Sequence, residues 1–172
     1  MEFEKLIAER YSVRSFKEKK VEESLINKIL NAGHIAPTGC NFQPQKILVI
    51  KSEDALSKLK KCTRCHFDAP LAMLVCYDES EGWSRPYDGE KCAPVDAGIV
   101  TTHMMLAAHN LGLGTCWVMH FDPKAMREEF NIPSNITSYA LIVIGYASDD
   151  SKPRDMHFNT RPIDDVVKYD SF

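Results

Sequence analysis

Two arginines and a hydroxyl stand at alternate positions near the start of the chain, in Arg10-Tyr11-Ser12-Val13-Arg14-Ser15-Phe16. On an extended backbone, residues two apart share a face, so Arg10, Ser12 and Arg14 would point one way while Tyr11 and Val13 point the other. Such a face can receive phosphate, because each guanidinium offers forked donors to anionic oxygens. A solvated edge strand has the same spacing. A second set of polar groups lies in Ala36-Pro37-Thr38-Gly39-Cys40-Asn41-Phe42-Gln43-Pro44-Gln45, a loop bracketed by prolines. The backbone amides of Thr38 and Gly39 and the side-chain amides of Asn41 and Gln43 are donors and acceptors of the kind that read a heterocycle edge.

The six cysteines, at 40, 62, 65, 76, 92 and 116, offer a different chemistry. Cys76 and Cys116 fall inside apolar runs and read as small buried hydrophobes. Cys62-Thr63-Arg64-Cys65 has the spacing of half a zinc site, but no second pair exists to complete it, so no metal is expected. Lys60, Lys61 and Arg64 beside these thiols would lower a thiol pKa and make the pair a redox sensor. No glycine-rich dinucleotide fingerprint, Walker loop, HExxH or nucleophile elbow is present. His34, His103 and His109 lie on helical stretches and read as packed or partly exposed residues, with no spacing that makes a Ser-His-Asp triad.

The element that must organise these groups is the stretch from Ala93 to Met119. From Asp96 to Asn110 apolar residues occupy nearly every side of a helix, which marks it as buried in a domain core or a subunit interface. Pro94 suits the first turn, Asp96 favours the positive helix N-terminus, and Gly112 and Gly114 stop the helix before the strand Thr115–Met119. Around it the periodicity predicts helices over Glu2–Glu9, Val21–Ile35 and Glu53–Lys61 and a strand over Lys46–Lys51. The unbroken apolar run Pro70–Tyr77 reads as a central strand covered on both faces. Asp122 caps a helix with Pro123 at its first position, and Tyr139–Tyr146 is the last strand. The polar loop Asp78–Cys92, with Trp83 and Tyr87, is long enough to cover a pocket. A polar tail from Ala147 ends in a short helix, Ile163–Lys168.

A chain of 172 residues with 44% hydrophobic and 26% charged residues fits one ordinary domain with a real core. Its net charge of -3 does not favour a nucleic-acid binder. No run is long and apolar enough to span a membrane and the N-terminus does not read as a signal peptide, so a cytoplasmic protein is expected.

The Arg10–Phe16 segment, the Ala36–Pro44 loop, Gly112-Leu113-Gly114-Thr115-Cys116-Trp117-Val118, and Ile144-Gly145-Tyr146 with its basic tail occur in an order that resembles the FMN-dependent nitroreductase family. The resemblance covers nearly the whole chain. It implies a single α+β domain over 1–172, a mixed, mainly antiparallel sheet flanked by helices, working as an intertwined homodimer. Residues 147–172 would form a C-terminal arm packing on the partner subunit.

By the same resemblance, each FMN lies at the dimer interface. Arg10, Tyr11, Ser12 and Arg14 would hold its phosphate, ribityl chain and pyrimidine edge. Pro37, Thr38, Gly39 and Asn41 would approach it from the other subunit, and Val118 and Met119 would place backbone amides near the reactive nitrogen. Arg161 is favoured as the tail cation on the phosphate, with Arg154 and Lys152 as alternatives. The implied activity is ping-pong transfer of electrons from NADH or NADPH to a nitroaromatic, quinone or similar acceptor, with no side chain named as acid or base. A dehalogenase or flavin-cleaving flavoprotein of the same fold, or a non-catalytic flavin or thiol sensor, fits the same residues. Gln45 stands where many relatives carry an aromatic residue. Arg64 or one of the neighbouring thiols is expected near the flavin.

Overall fold

Two strands explain why the longest apolar runs of the sequence show no alternation. The computed structural model describes residues 1–172. It contains α1 (Phe3–Glu9), α2 (Glu23–His34), β1 (Gln45–Ile50), α3 (Glu53–Cys62), β2 (Leu71–Asp78), α4 (Ala93–Asn110), β3 (Gly114–Val118), α5 (Pro123–Phe130), β4 (Ile136–Gly145) and α6 (Ile163–Val166). The strands form one sheet in the order β1-β2-β4-β3. All three pairings are antiparallel. The parallel component reduces to a single bridge, Ser12 with Thr115. β2 and β4 are therefore interior strands, and apolar cores cover both of their faces.

One core joins Leu71, Met73 and Val75 of β2 and Ile142 and Ile144 of β4 to α2 and α4, through Ile26, Ile29, Val100, Met104 and Ala108. The other joins Ala72, Leu74 and Cys76, with Leu141 and Val143, to Leu59 of α3 and Met126 of α5. Odd and even positions of each strand thus face opposite layers, as a period of two requires. Truncating a fully buried side chain such as Met126 to alanine would remove about 2–5 kcal/mol of stability.

The helix at the centre begins three residues earlier than its apolar pattern indicates. α4 buries Ala93, Asp96, Ala97, Val100, Thr101, Met104 and Ala108 on a single face. Within one chain the opposite face is left uncovered: Val95 is 61% exposed and His103 is also exposed. Asp122 caps α5 as read from sequence, its carboxylate accepting from the amides of Lys124 and Ala125. The loop expected over Asp78–Cys92 has more order than its composition shows. It holds a short helical turn, Glu79–Glu81, and a hairpin-like bend bridged from Ser84 to Lys91.

Candidate functional site

The arginine segment is extended, and its position is set by close approach to the sheet. The Val13 amide donates to the Thr115 carbonyl at 2.9 Å, and Val13 itself is only 2% exposed. That approach needs Gly114, because a Cβ there would meet the Val13 side chain at 2.7 Å. Gly145 does the same further along: its Cβ would lie 2.8 Å from Pro70 and 3.0 Å from Phe16. Gly114 and Gly145 are thus accounted for by the side chains that pack directly over them.

The start of the tail is zipped to this segment. Ser148 donates its amide to the Ser15 carbonyl, Lys17 pairs with Asp149 at 2.5 Å, and the Tyr11 hydroxyl donates to Ser151 at 3.2 Å. Tyr11 also meets the edge of His157 at 6.4 Å between ring centroids. Between segment and tail lies a pocket of about 330 Å³ lined by Arg10, Tyr11, Ser12, Arg14, Arg154, Met156 and His157. Arg14 donates to the Ser12 carbonyl at 3.0 Å. None of the three guanidiniums is paired with a carboxylate, though ten lysine or arginine ion pairs form elsewhere in the chain. Arginine stays protonated, so three unneutralised charges and a hydroxyl converge on one cavity, which can bind a dianion. Arg154 is the tail cation brought to this pocket. Lys152 and Arg161 are not among its lining residues.

A second cavity, about 570 Å³, opens near the far end of β3 and is lined by Lys60, Lys61, Cys62, Thr63, Arg64, Met119, His120, Phe121 and Asp122. The fold holds the Cys62–Arg64 step against Met119 by two bonds: the Asp122 amide to the Cys62 carbonyl at 2.8 Å, and the Thr63 hydroxyl to the His120 carbonyl. Met119 is 58% exposed and faces open space, while Val118 is buried at the end of β3. From Thr115 to Met119 the backbone spans about 13 Å, so the first cavity, beside the Ser12–Thr115 bridge, and the second, beside Met119, lie near opposite ends of β3.

Burial and two carboxylates oppose the activation expected of Cys62. The Cys62 thiol is pushed up by burial and then by Glu129 and Asp122, which together outweigh Lys61. Lys60 and Lys61 are in turn paired with Asp68 and Glu129. Cys116 is also pushed up by burial, against the opposing influence of Arg14, and Cys76 reaches about 11. Burial disfavours the thiolate form of Cys62, Cys76 and Cys116, the opposite of what a poised nucleophile needs.

The proline-bracketed loop sits elsewhere. It leads into β1, the opposite edge strand, so three strand spacings, about 14 Å, separate it laterally from β3. Pro37, Thr38, Gly39 and Asn41 therefore do not join Arg10, Ser12 and Arg14 within one chain. Cys40, Asn41 and Gln43 all adopt left-handed φ, at 48°, 59° and 54°. The Gly39 amide donates at 2.8 Å to Asp96 of α4, a partner that sequence reasoning missed. The only hint was an acidic residue in an otherwise apolar helix, and helix-end electrostatics already explained it.

The chain belongs to the nitroreductase family. The family model described as "Putative TM nitroreductase" matches residues 2–172. A nitroreductase family protein from Clostridium difficile 630, known from its crystal structure, is 41% identical with a TM-score of 0.93, each chain covered in full. An FMN-dependent nitroreductase from Clostridium difficile R20291 is 27% identical with a TM-score of 0.80, covering 97% of this chain and 98% of that one. A protein of Archaeoglobus fulgidus named "Putative NADH dehydrogenase/NAD(P)H nitroreductase" is 30% identical, covering 85% of this chain and 86% of its own. The α+β architecture read from the motifs is the architecture found. No helix of the chain is long and apolar enough to cross a membrane.

Proposed function

We propose that this protein is an FMN-dependent NAD(P)H oxidoreductase that reduces a nitroaromatic, quinone or similar conjugated acceptor, working as a homodimer in the cytoplasm. The observation that carries the reading is the pocket in which Arg10, Arg14 and Arg154 stand without carboxylate partners beside Ser12. A phosphate monoester supplies the charge such a pocket lacks. The residues fit FMN in three places. Arg10, Ser12, Arg14 and Arg154 would hold the phosphate end, and the Cys62–Arg64 step would line the ring's polar edge. Val118 and Met119 would offer backbone amides to the reactive face. Thr38, Gly39 and Asn41, stranded at the other sheet edge, would complete the site of the partner subunit.

FMN bound there would supply the redox chemistry that links NADH or NADPH to the acceptor. The protein's own share is to neutralise the phosphate, orient the ring along β3 and leave an open wall at Met119 where donor and acceptor take turns. The homodimer is supported by apolar surface that a single chain leaves bare. Phe3, Ile7, Val95, Ile163, Val166, Tyr169 and Phe172 are all exposed.

The test is the visible spectrum of the purified protein after incubation with FMN, followed by NADH under anaerobic conditions. Flavin bands that bleach on adding NADH are expected. A protein that takes up no FMN contradicts the reading.

A further inference from the structure

We infer that Asp96 is a positioning residue for the flavin site: its buried carboxylate fixes the Pro37–Gln43 loop that would meet the partner subunit's cofactor. This rests on the proposed FMN reading. Most of the loop's hydrogen bonds are internal. The Gln43 amide donates to the Thr38 hydroxyl at 3.1 Å, the Gln43 side chain donates to the Asn41 carbonyl at 3.3 Å, and the Asn41 and Phe42 amides turn back to Thr38 and Gly39. Three left-handed non-glycine residues in four positions persist only where the surroundings over-determine them.

Two bonds tie the loop to the rest of the fold. One is at its exit, where the Asp78 amide donates to the Pro44 carbonyl at 2.9 Å. The other is in its middle, from the Gly39 amide to Asp96 Oδ1 at 2.8 Å. A Cβ added at Gly39 would meet Trp83 and Cys92 at 3.4–3.7 Å, ordinary van der Waals contact, so packing there is not tight and the bond to Asp96 is what fixes the middle of the loop.

Asp96 is spent on little else. It is 2% exposed, and its second oxygen, Oδ2, is buried without a hydrogen-bond partner. An ionisable group sunk in a helix–sheet core with half of its acceptor capacity idle is a poor choice for stability alone. Its place in the first turn of α4, where backbone amides favour negative charge, makes that burial tolerable. What the carboxylate does there is hold Gly39, and so set where Thr38 and Asn41 present their groups. α4 also carries exposed Val95 one residue away. The carboxylate therefore sits where helix packing and loop geometry meet.

Three forms of the full-length protein test this by FMN titration, flavin spectrum and thermal unfolding. Asp96→Ala removes the acceptor, and FMN should bind about tenfold more weakly with a shifted visible band. Asp96→Asn keeps an acceptor oxygen on Gly39 while burying an unpaired amide. It should unfold at a lower temperature yet bind FMN within about threefold of wild type. If Asp96→Ala fails to fold, Asp96→Glu displaces the loop by one methylene and should weaken FMN while folding. Wild-type affinity and spectrum in a folded Asp96→Ala or Asp96→Glu protein would overturn the inference. So would an Asp96→Asn protein that loosens FMN as much as Asp96→Ala. A wild-type protein that binds no FMN would instead remove the functional reading, so the two failures are separable.

Discussion

The two halves of the proposed site are held by different means. The arginine segment lies on the β3 edge, tied to Thr115 through the backbone and admitted by glycines that leave no room for a side chain. The loop lies at the β1 edge, in a conformation that few residues favour, and its middle is held by one buried side chain. An anion receptor built on backbone pairing fails most through its own cations and less through the glycines that admit it. A loop fixed by one remote carboxylate fails through a residue that never touches the ligand. Putting the halves on opposite edges of one sheet also means that a single chain presents two half-sites. The proposed homodimer would bring complementary halves together.

The contrast can be broken first at the cations. Replacing Arg10 and Arg14 together by alanine should weaken FMN binding at least a hundredfold, since each charge-assisted bond contributes about 1.5–3 kcal/mol. Titration of the folded double variant, followed by flavin absorbance, checks this. Next is the admission of the segment: Gly114→Ala places a Cβ against buried Val13. The clash should cost about 1–3 kcal/mol, seen as a lower unfolding temperature together with weaker FMN binding.

Among the tail cations, Arg154→Ala should weaken FMN about tenfold, while Arg161→Ala should leave affinity within about threefold. Equal losses would mean that the tail reaches the phosphate by another path.

The smallest effect expected is a pH dependence of stability centred on His109, which lies at the end of α4. Burial, and then Arg10, hold its pKa below the ordinary 6.5. The folded protein thus binds fewer protons there than the unfolded chain. The contribution is complete above pH 6.5 and is lost progressively as pH falls below it. His109→Gln should flatten that part of the unfolding-temperature profile between pH 7.5 and 5.5.

The arginine half was legible in sequence because its signal is local. Alternation of Arg10, Ser12 and Arg14 needs only an extended backbone, and the backbone is extended. The interior strands were legible for the same reason, since a double-faced strand announces itself by missing alternation. The loop half was legible in composition but not in geometry. Nothing near Gly39 indicates that its amide reaches Asp96, 57 residues away, and Asp96 had a sufficient local explanation at the helix end.

Cys62 departs from its expectation for a related reason. Lys60 and Lys61 are neighbours of Cys62 in sequence, but their charges are spent on Asp68 and Glu129, and burial decides the thiol's pKa. Arg161 was favoured by its place before the last helix. Arg154 reaches the pocket because the tail is zipped to residues 15–17 before it turns, which is a tertiary fact.

The most direct test of the shared site is complementation between two defective subunits. One carries Arg10→Ala and Arg14→Ala, and the other carries Thr38→Ala and Asn41→Ala. If each cofactor is held by the arginine face of one subunit and the loop of the other, a mixed dimer concentrates both defects in one site and leaves the second intact. Dissociating and reassociating an equal mixture should then restore about a quarter of the wild-type FMN sites, with matching NADH-dependent reductase activity. A reassociated mixture that binds no more FMN than the two variants apart would contradict the account.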